Sequence, residues 1–378
     1  MTRKTKKTEE TKPGRVAMHD LMKLVNKKAG RNVAHDLTGV NPTEVKEWIP
    51  TGSRWLDSIV CKGKLAGIPV GKVTEIAGLE STGKSYMAAQ IAANAQKMGK
   101  LVVYFDSESA IDPEFLRRSG CDLNNLMYVQ ATSVEFVLET IEDLLSSNEN
   151  RMLFIWDSLA LTPAISDVEG DFNPQSSMAV KARILAKGMS KLIIPIADSQ
   201  ATFLVLNQLK TNIPQGPNAR IIAMTTPYMT PGGKALQYSY SLRIWLTGRK
   251  SKAAFIEDDK GYRIGSEVKA KLEKSRFGTQ GRNCTFRILW GTEDIGIRDE
   301  ESWFEAVKTS EYLKSAGAWY TLTMPDGYTK KFQPSKWTET VQNDEEFRTN
   351  ILKLMDHEVV QKFDKREGVA EQFYADPE

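Results

Sequence analysis

Eight consecutive residues, Gly78-Leu79-Glu80-Ser81-Thr82-Gly83-Lys84-Ser85, fit the pattern G-x-x-x-x-G-K-[ST] at every fixed position. A turn of this kind curls backbone N–H groups around phosphate oxygens, and the helix after it adds the positive end of its dipole. In that chemistry the Lys84 ammonium reaches the β and γ phosphates of ATP, and the Ser85 hydroxyl ligates Mg²⁺. A chance glycine-rich turn would lack the right context, whereas here the run VTEIA precedes the turn and a stretch beginning YMAAQ follows it. Cleaving a phosphate also requires carboxylates at neighbouring strand ends. Met152–Trp156 is an apolar run that ends in Asp157, which can hold a metal through water or cap the next segment. A second run, LVVYF, ends in Asp106-Ser107-Glu108, at the carboxyl edge where open α/β sheets bind ligands. Glu108 is therefore a candidate general base for the water that attacks the γ phosphate, or else an ordinary surface carboxylate.

These residues require a sheet with its strand ends aligned. Short apolar runs predict strands at 73–77, 101–105, 126–130, 152–156, 202–206 and 242–246, with helices at 84–98, 113–119, 133–147 and 176–199 between the first five. Continuous apolar strands alternating with helices imply a mostly parallel sheet covered on both faces. Further strands are expected at 267–274 and 284–290, turning through Gly278 to Gly281. Upstream, Met18, Leu21, Met22 and Val25 fall at helical spacing and leave an apolar stripe on a short helix over 16–28. The predicted organisation is a basic arm and helix over residues 1–48, an α/β core over 49–298, and a small α+β domain over 299–378 with its own aromatics and a helical pattern at 344–363.

Length and composition narrow the class. With 378 residues, 41% hydrophobic and 26% charged, the chain reads as an ordinary globular protein with ample core. Its longest apolar runs fall far short of the roughly 20 residues of a membrane span, and MTRKTKK begins no secretory signal, so a cytoplasmic location with no membrane partner is expected. Three widely spaced cysteines, Cys61, Cys121 and Cys284, argue against a disulfide framework and suit small core positions. Net charge is 51 minus 48, or +3, too little to mark a nucleic-acid binder. Ten Lys or Arg against three acids within residues 1–31 nonetheless give a basic arm, either solvated or close to a polyphosphate.

Taken together, PTGSRWLD (50–57), GLESTGKS (78–85), FDSESAIDPEF (105–115), FIWDSLALTP (154–163), LVLNQ (204–208), TPGGKAL (230–236) and SAGAWY (315–320) stand in the order found in RecA-type recombinases. The chain resembles that family from about residue 48 to 325, and a bacteriophage-borne member is one reading. The resemblance implies a RecA-like P-loop core with Glu108 as catalytic glutamate and Asp157 in the metal shell. Asp112 and Phe115 match one side of the adenine site, Phe115 keeping the family's aromatic character, and Trp290 and Gly291 match the other. Gln208 matches the glutamine that senses the γ phosphate. Lys274 and Arg276 match the cations that each protomer offers to its neighbour's nucleotide. Residues 164–178 and 209–233 match the two DNA loops, rich in Gly, Pro, Asn and Ser as mobile loops are. Met178, Arg183, Lys210, Gly232, Gly233 and Lys234 fall at the family's DNA-contacting positions, although Lys234 replaces a typical Asn and the second loop is long. The amino-terminal helix is then expected to pack on an adjacent protomer.

Three functions follow as expectations. The first is an ATP-dependent recombinase that coats single-stranded DNA as a helical homo-oligomer, pairs it with homologous double-stranded DNA, and works beside single-strand-binding and loader proteins. The second is a motor or accessory ATPase of the same fold, such as a ring helicase, since fold alone does not fix function. The third is a non-enzymatic switch, which intact Lys84, Glu108 and Asp157 disfavour.

Overall fold

A computed structural model describes residues 13–38, 43–147, 151–169, 178–248, 254–291 and 295–360; for residues 13–17, 178 and 179 it describes the backbone only. Residues 1–12 of the expected basic arm, most of the first loop and the chain beyond 360 lie outside these. The chain forms two compact units, residues 1–46 and 47–378.

In the first unit, α1 (Pro13–Ala29) covers the predicted helix and ends on Lys27 and Lys28, which suit the negative end of its dipole. Asn26 then turns the chain, its Oδ1 accepting from the backbone N–H groups of Val33 (2.8 Å) and Ala34 (2.7 Å). Within the unit Met18, Leu21 and Val25 are exposed, the stripe expected from their spacing.

The second unit opens with a ribbon of β1 (Trp48–Ile49) and β2 (Ile68–Pro69) flanking α2 (Arg54–Val60). Then come β3 (Val73–Gly78), α3 (Lys84–Lys97), β4 (Leu101–Asp106), α4 (Pro113–Arg118), β5 (Leu126–Gln130), α5 (Val134–Ser147) and β6 (Met152–Asp157). They are followed by α6 (Ile165–Glu169), α7 (Met178–Asp198), β7 (Thr202–Gln208), the ribbon strands β8 (Lys210–Thr211) and β9 (Tyr228–Met229) around α8 (Ala219–Thr225), α9 (Gly233–Ser239) and β10 (Leu242–Gly248). A meander of β11 (Phe255–Glu257), β12 (Arg263–Ser275), β13 (Asn283–Leu289) and β14 (Gly296–Arg298) closes the sheet. Its order is β14-β13-β12-β10-β3-β7-β6-β4-β5, with β11 beside β12. The six strands from β10 to β5 are parallel and the meander is antiparallel, so the sheet is mostly parallel on the side that carries the phosphate loop.

Each face of the sheet buries its own apolar layer. Ile76, Tyr104, Ile155 and Leu204 point to α3, whose run of alanines lets the helix lie close. Val73, Phe105, Trp156 and Phe203 point to α5, α7 and α9. Helices α5 and α7 touch at Gly188, where a Cβ would lie 2.4 Å from Leu138 Cδ1, so a larger residue would require the Leu138 side chain to shift. Cys61, Cys121 and Cys284 are free and buried, as expected of small core residues. Buried Glu75 is satisfied by Arg243 Nε (2.6 Å) and Asn207 Nδ2 (2.9 Å), and desolvation pushes its carboxyl above the usual range.

Downstream, α10 (Glu300–Val307), the antiparallel strands β15 (Leu313–Ala316), β16 (Trp319–Thr323) and β17 (Thr329–Phe332), α11 (Trp337–Asn343) and α12 (Glu345–Met355) enclose an aromatic core of Trp303, Phe332, Trp337 and Phe347. No helix among the described residues is long and apolar enough to cross a membrane.

Two expectations need correction, for residues 209–233 and for the strand at 126–130. Residues 209–233 are not one irregular loop, because β8, α8 and β9 give the segment a stem and a helical tip. The predicted helix over 176–199 is found as Met178–Asp198, with Arg183 in its second turn. The 126–130 run is an edge strand with Met127 and Tyr128 exposed, not a strand covered on both faces.

Candidate nucleotide and DNA site

Parallel register brings the chemistry to one edge. Gly78 lies opposite Gln208 on β7, and Asp106 opposite Asp157 on β6, so all four mark the carboxyl ends of their strands. Beyond Gly78 the loop turns through Ser81 (φ 56°) and Gly83 (φ 78°) into α3. Gly83 is required twice over: its φ is left-handed, and a Cβ would meet Ile288 Cδ1 at 2.3 Å. Thr82 Oγ1 donates to the Leu79 carbonyl (2.8 Å) and closes the turn below the exposed Glu80 and Ser81. Lys84 Nζ rests on the carbonyls of Leu79 (3.0 Å) and Gly78 (3.4 Å). Desolvation lowers its pKa, while Asp157, Glu108 and Glu80 pull it back up.

Ser85 Oγ donates to Asp157 Oδ2 (2.8 Å), and the buried Tyr104 hydroxyl donates to the same oxygen (2.8 Å). Burial raises the Asp157 carboxyl; these two hydrogen bonds oppose the rise, and Glu108 and Asp106 add to it. Asp157 is thus held at the serine that follows Lys84 and does not act as a helix cap. Tyr104 was missed because an internal tyrosine of an apolar strand looks like any other core ring.

The loop after β4 is built by Asp106, which accepts from the N–H groups of Glu108 (2.8 Å), Ala110 (3.0 Å) and Ile111 (3.2 Å). Glu108 is exposed at the site, with Oε1 accepting from Ser158 Oγ (3.1 Å). The expected catalytic carboxylate is therefore tied to the residue after Asp157.

On the far side, Phe115 and Trp290 are both half-buried and are joined through Tyr86, 4.9 Å from Phe115 and 6.2 Å from Trp290 between ring centroids. Trp290 and Gly291 are fixed by their N–H groups, which both donate to the Ile264 carbonyl (2.9 and 3.1 Å). Asp112 caps α4, accepting from the Glu114 N–H (3.2 Å), and stays exposed beside Phe115.

A cleft of about 730 Å³ gathers Lys210, Gly232 and Gly233 of the second loop, Lys234 of α9 and Lys181 of α7. Lys181, which had no sequence signal beyond being a helical lysine, donates to the carbonyls of Leu159 (2.9 Å), Ala160 (3.2 Å) and Thr162 (2.6 Å) just after the Asp157 strand. Arg183 lies on the exposed side of the same helix, and the Met178 side chain lies outside the described residues. Asn207, next to Gln208, donates to the Pro231 carbonyl (3.1 Å) and so ties the strand end to the stem of the second loop.

Lys274 and Arg276 are not brought to the phosphate loop of their own chain. Lys274 lies opposite Arg243, and Arg243 opposite Glu75, whereas Gly78 is level with Ala270 through Leu246. Three residues of strand, Glu75 to Gly78, or about 10 Å, therefore separate Lys274 from the loop's level. Both cations instead hold the carboxyl end of α9: Lys274 donates to the carbonyls of Gln237 (2.9 Å) and Tyr238 (3.0 Å), and Arg276 to Tyr238 (2.8 Å).

Sequence comparison places this architecture. The model of the RecA N-terminal domain matches residues 16–296. Protein RecA of Colwellia psychrerythraea is 31% identical over 283 residues, covering 75% of this chain and 76% of its own. Protein RecA of Roseiflexus sp. is 31% identical over 306 residues, 81% of each chain. Protein RecA of Bifidobacterium breve is 30% identical over 307 residues, 81% of this chain and 73% of its own. The chain therefore belongs to the RecA family of nucleotide-binding recombinases.

Proposed function

We propose that the chain hydrolyses ATP at the seam between neighbouring copies and uses the nucleotide to control a shared grip on DNA, as an ATP-dependent recombinase does. The observation that carries this is the meeting of Lys84, Ser85, Asp157 and Glu108 at one sheet edge while Lys274 and Arg276 stand away from it. The loop amides and Lys84 bind the β and γ phosphates. Ser85 Oγ and Asp157 Oδ2 are hard oxygen donors 2.8 Å apart, a set that suits Mg²⁺, with Ser85 as direct ligand and Asp157 acting through water. The ion, when bound, neutralises charge on the β and γ oxygens.

Glu108, oriented by Ser158, accepts a proton from the attacking water. The water oxygen bonds to the γ phosphorus as the bond to the β–γ bridging oxygen breaks, releasing ADP and phosphate. Lys274 and Arg276 supply positive charge from the next protomer, a contact that joins two different surfaces and propagates into a helix when its rotation does not close into a ring. Gln208 senses the γ phosphate, and the Asn207 link to Pro231 passes its state to the second loop. Phe115, Trp290, Gly291 and Asp112 enclose the base. Met178, Arg183, Lys210, Gly232, Gly233 and Lys234 hold the DNA backbone and stack. The exposed Ile213, Ile221 and Met224 of the second loop suit apolar insertion between bases.

Strand exchange between circular single-stranded DNA and a homologous linear duplex tests this, with electron microscopy of the same mixture and a non-hydrolysable ATP analogue. ATP-dependent joint molecules on helical filaments are expected. Rings that unwind duplex without pairing it would place the chain with the motors.

A further inference from the structure

We infer that Tyr86 is a third wall of the base slot and makes nucleotide binding depend on the stacking area of the base. The inference rests on the phosphate loop and base walls proposed above. Tyr86 stands two residues beyond Lys84 in the first turn of α3, so the turn that aims the phosphate-binding amides also fixes its backbone. Its ring meets Phe115 edge-on at an interplanar angle of 83° and lies tilted by 42° against Trp290. The two rings assigned to opposite sides of the base are thereby joined by a third that grows from the phosphate-binding helix itself.

Trp290 is braced from another direction. Arg263 Cζ lies 5.2 Å from its ring centroid and 3.9 Å from that of Phe255. Arg263 and Phe255 also line a cavity of about 180 Å³ with Glu80, Ser81 and Thr82, so this brace adjoins the phosphate loop. A cation held between two aromatic faces keeps both rings in place.

Phe115 and Trp290 can take the two faces of a base, and Tyr86, at 83° to Phe115, then meets its edge, so the three rings favour extended bases and discriminate little by hydrogen-bonding pattern. The ligand class that fits is a purine nucleoside triphosphate, with triphosphate affinity from the loop and base affinity from Phe115, Tyr86 and Trp290.

Calorimetric titration of the full chain with the magnesium complexes of ATP, CTP and tripolyphosphate tests this. Tyr86→Ala should raise the Kd for ATP about tenfold, equivalent to ~1.4 kcal/mol. It should raise that for CTP by a smaller factor and leave tripolyphosphate binding as it was. Tyr86→Leu, which keeps apolar volume against Phe115, should show the same base-dependent loss, and Tyr86→Phe should restore ATP binding. If both ring-less variants weaken ATP and tripolyphosphate equally, or weaken neither, Tyr86 only packs the helix and the inference is wrong. If the natural chain binds tripolyphosphate no better than Lys84→Ala does, the phosphate site itself is misassigned and both readings fall.

Discussion

Lys84 and Lys274 are both desolvated lysines resting on backbone carbonyls of their own chain, yet their surroundings have opposite sign. Around Lys84, Asp157, Glu108 and Glu80 counter the desolvation and favour the ammonium. Around Lys274, Arg276 and Arg243 add to the desolvation and only Glu75 opposes it, so its pKa falls to about 8. One cation is prepared by carboxylates within its own chain. The other is a cation among cations, and a polyanion brought by another molecule would stabilise it. That contrast matches the proposed division between a lysine that binds the triphosphate in its own chain and a pair that reaches across to a neighbour.

Lys84→Ala should have the largest effect, a loss on the order of 10⁴-fold in kcat/KM for ATP, because it removes ground-state binding and transition-state charge together. Steady-state turnover on single-stranded DNA measures this. Arg276→Ala should lower kcat by about 10³-fold while nucleotide binding to the unassembled chain persists, the pattern of a charge supplied in trans. Equal losses in binding and turnover would place Arg276 in its own chain's site. Glu108→Gln should reduce kcat by roughly 10²- to 10³-fold and leave ATP affinity intact, so that nucleotide-bound filaments accumulate. Single-turnover kinetics on the filament should show slow chemistry, and a normal rate would remove Glu108 from the base role.

The smallest effect concerns pH. If Lys274 meets a neighbour's phosphates as proposed, it holds its proton less tightly in the free chain than in the assembly, so the assembled state binds more protons above about pH 8. Nucleotide-dependent assembly, followed by light scattering, should weaken by up to about tenfold per pH unit as pH rises beyond that value. It should be flat below it, where Lys274 is charged in both states. Lys274→Arg should flatten the alkaline limb, since guanidinium keeps its proton.

The phosphate loop, the strands that flank it and the carboxylates at their ends were legible in sequence, because glycine spacing and continuous apolar runs are local signals. Antiparallel closure by β12 and β13 was only half legible: both strands and their turn could be read, but pairing direction is a tertiary property. Tyr86, Tyr104, Asn207 and Lys181 were invisible, since each is an unremarkable residue of a helix or strand until the fold gives it Phe115, Asp157, Pro231 or the Leu159 carbonyl as a partner. The stem of the second loop was missed because two-residue strands such as β8 and β9 leave too short a pattern. Lys274 and Arg276 show the converse: resemblance assigned them a role at a nucleotide, and only the register shows that they stand away from the phosphate loop of their own chain.

Mixing two inactive chains tests the shared seam most directly. A Lys84→Ala chain retains Lys274 and Arg276, and a Lys274→Ala/Arg276→Ala chain retains the phosphate loop. In an equimolar mixture assembled on single-stranded DNA, random neighbours should complete roughly a quarter of the seams and restore about that fraction of ATP turnover. If the mixture stays as inactive as either chain alone, although both chains enter the same filaments, the two cation sites do not meet across a seam.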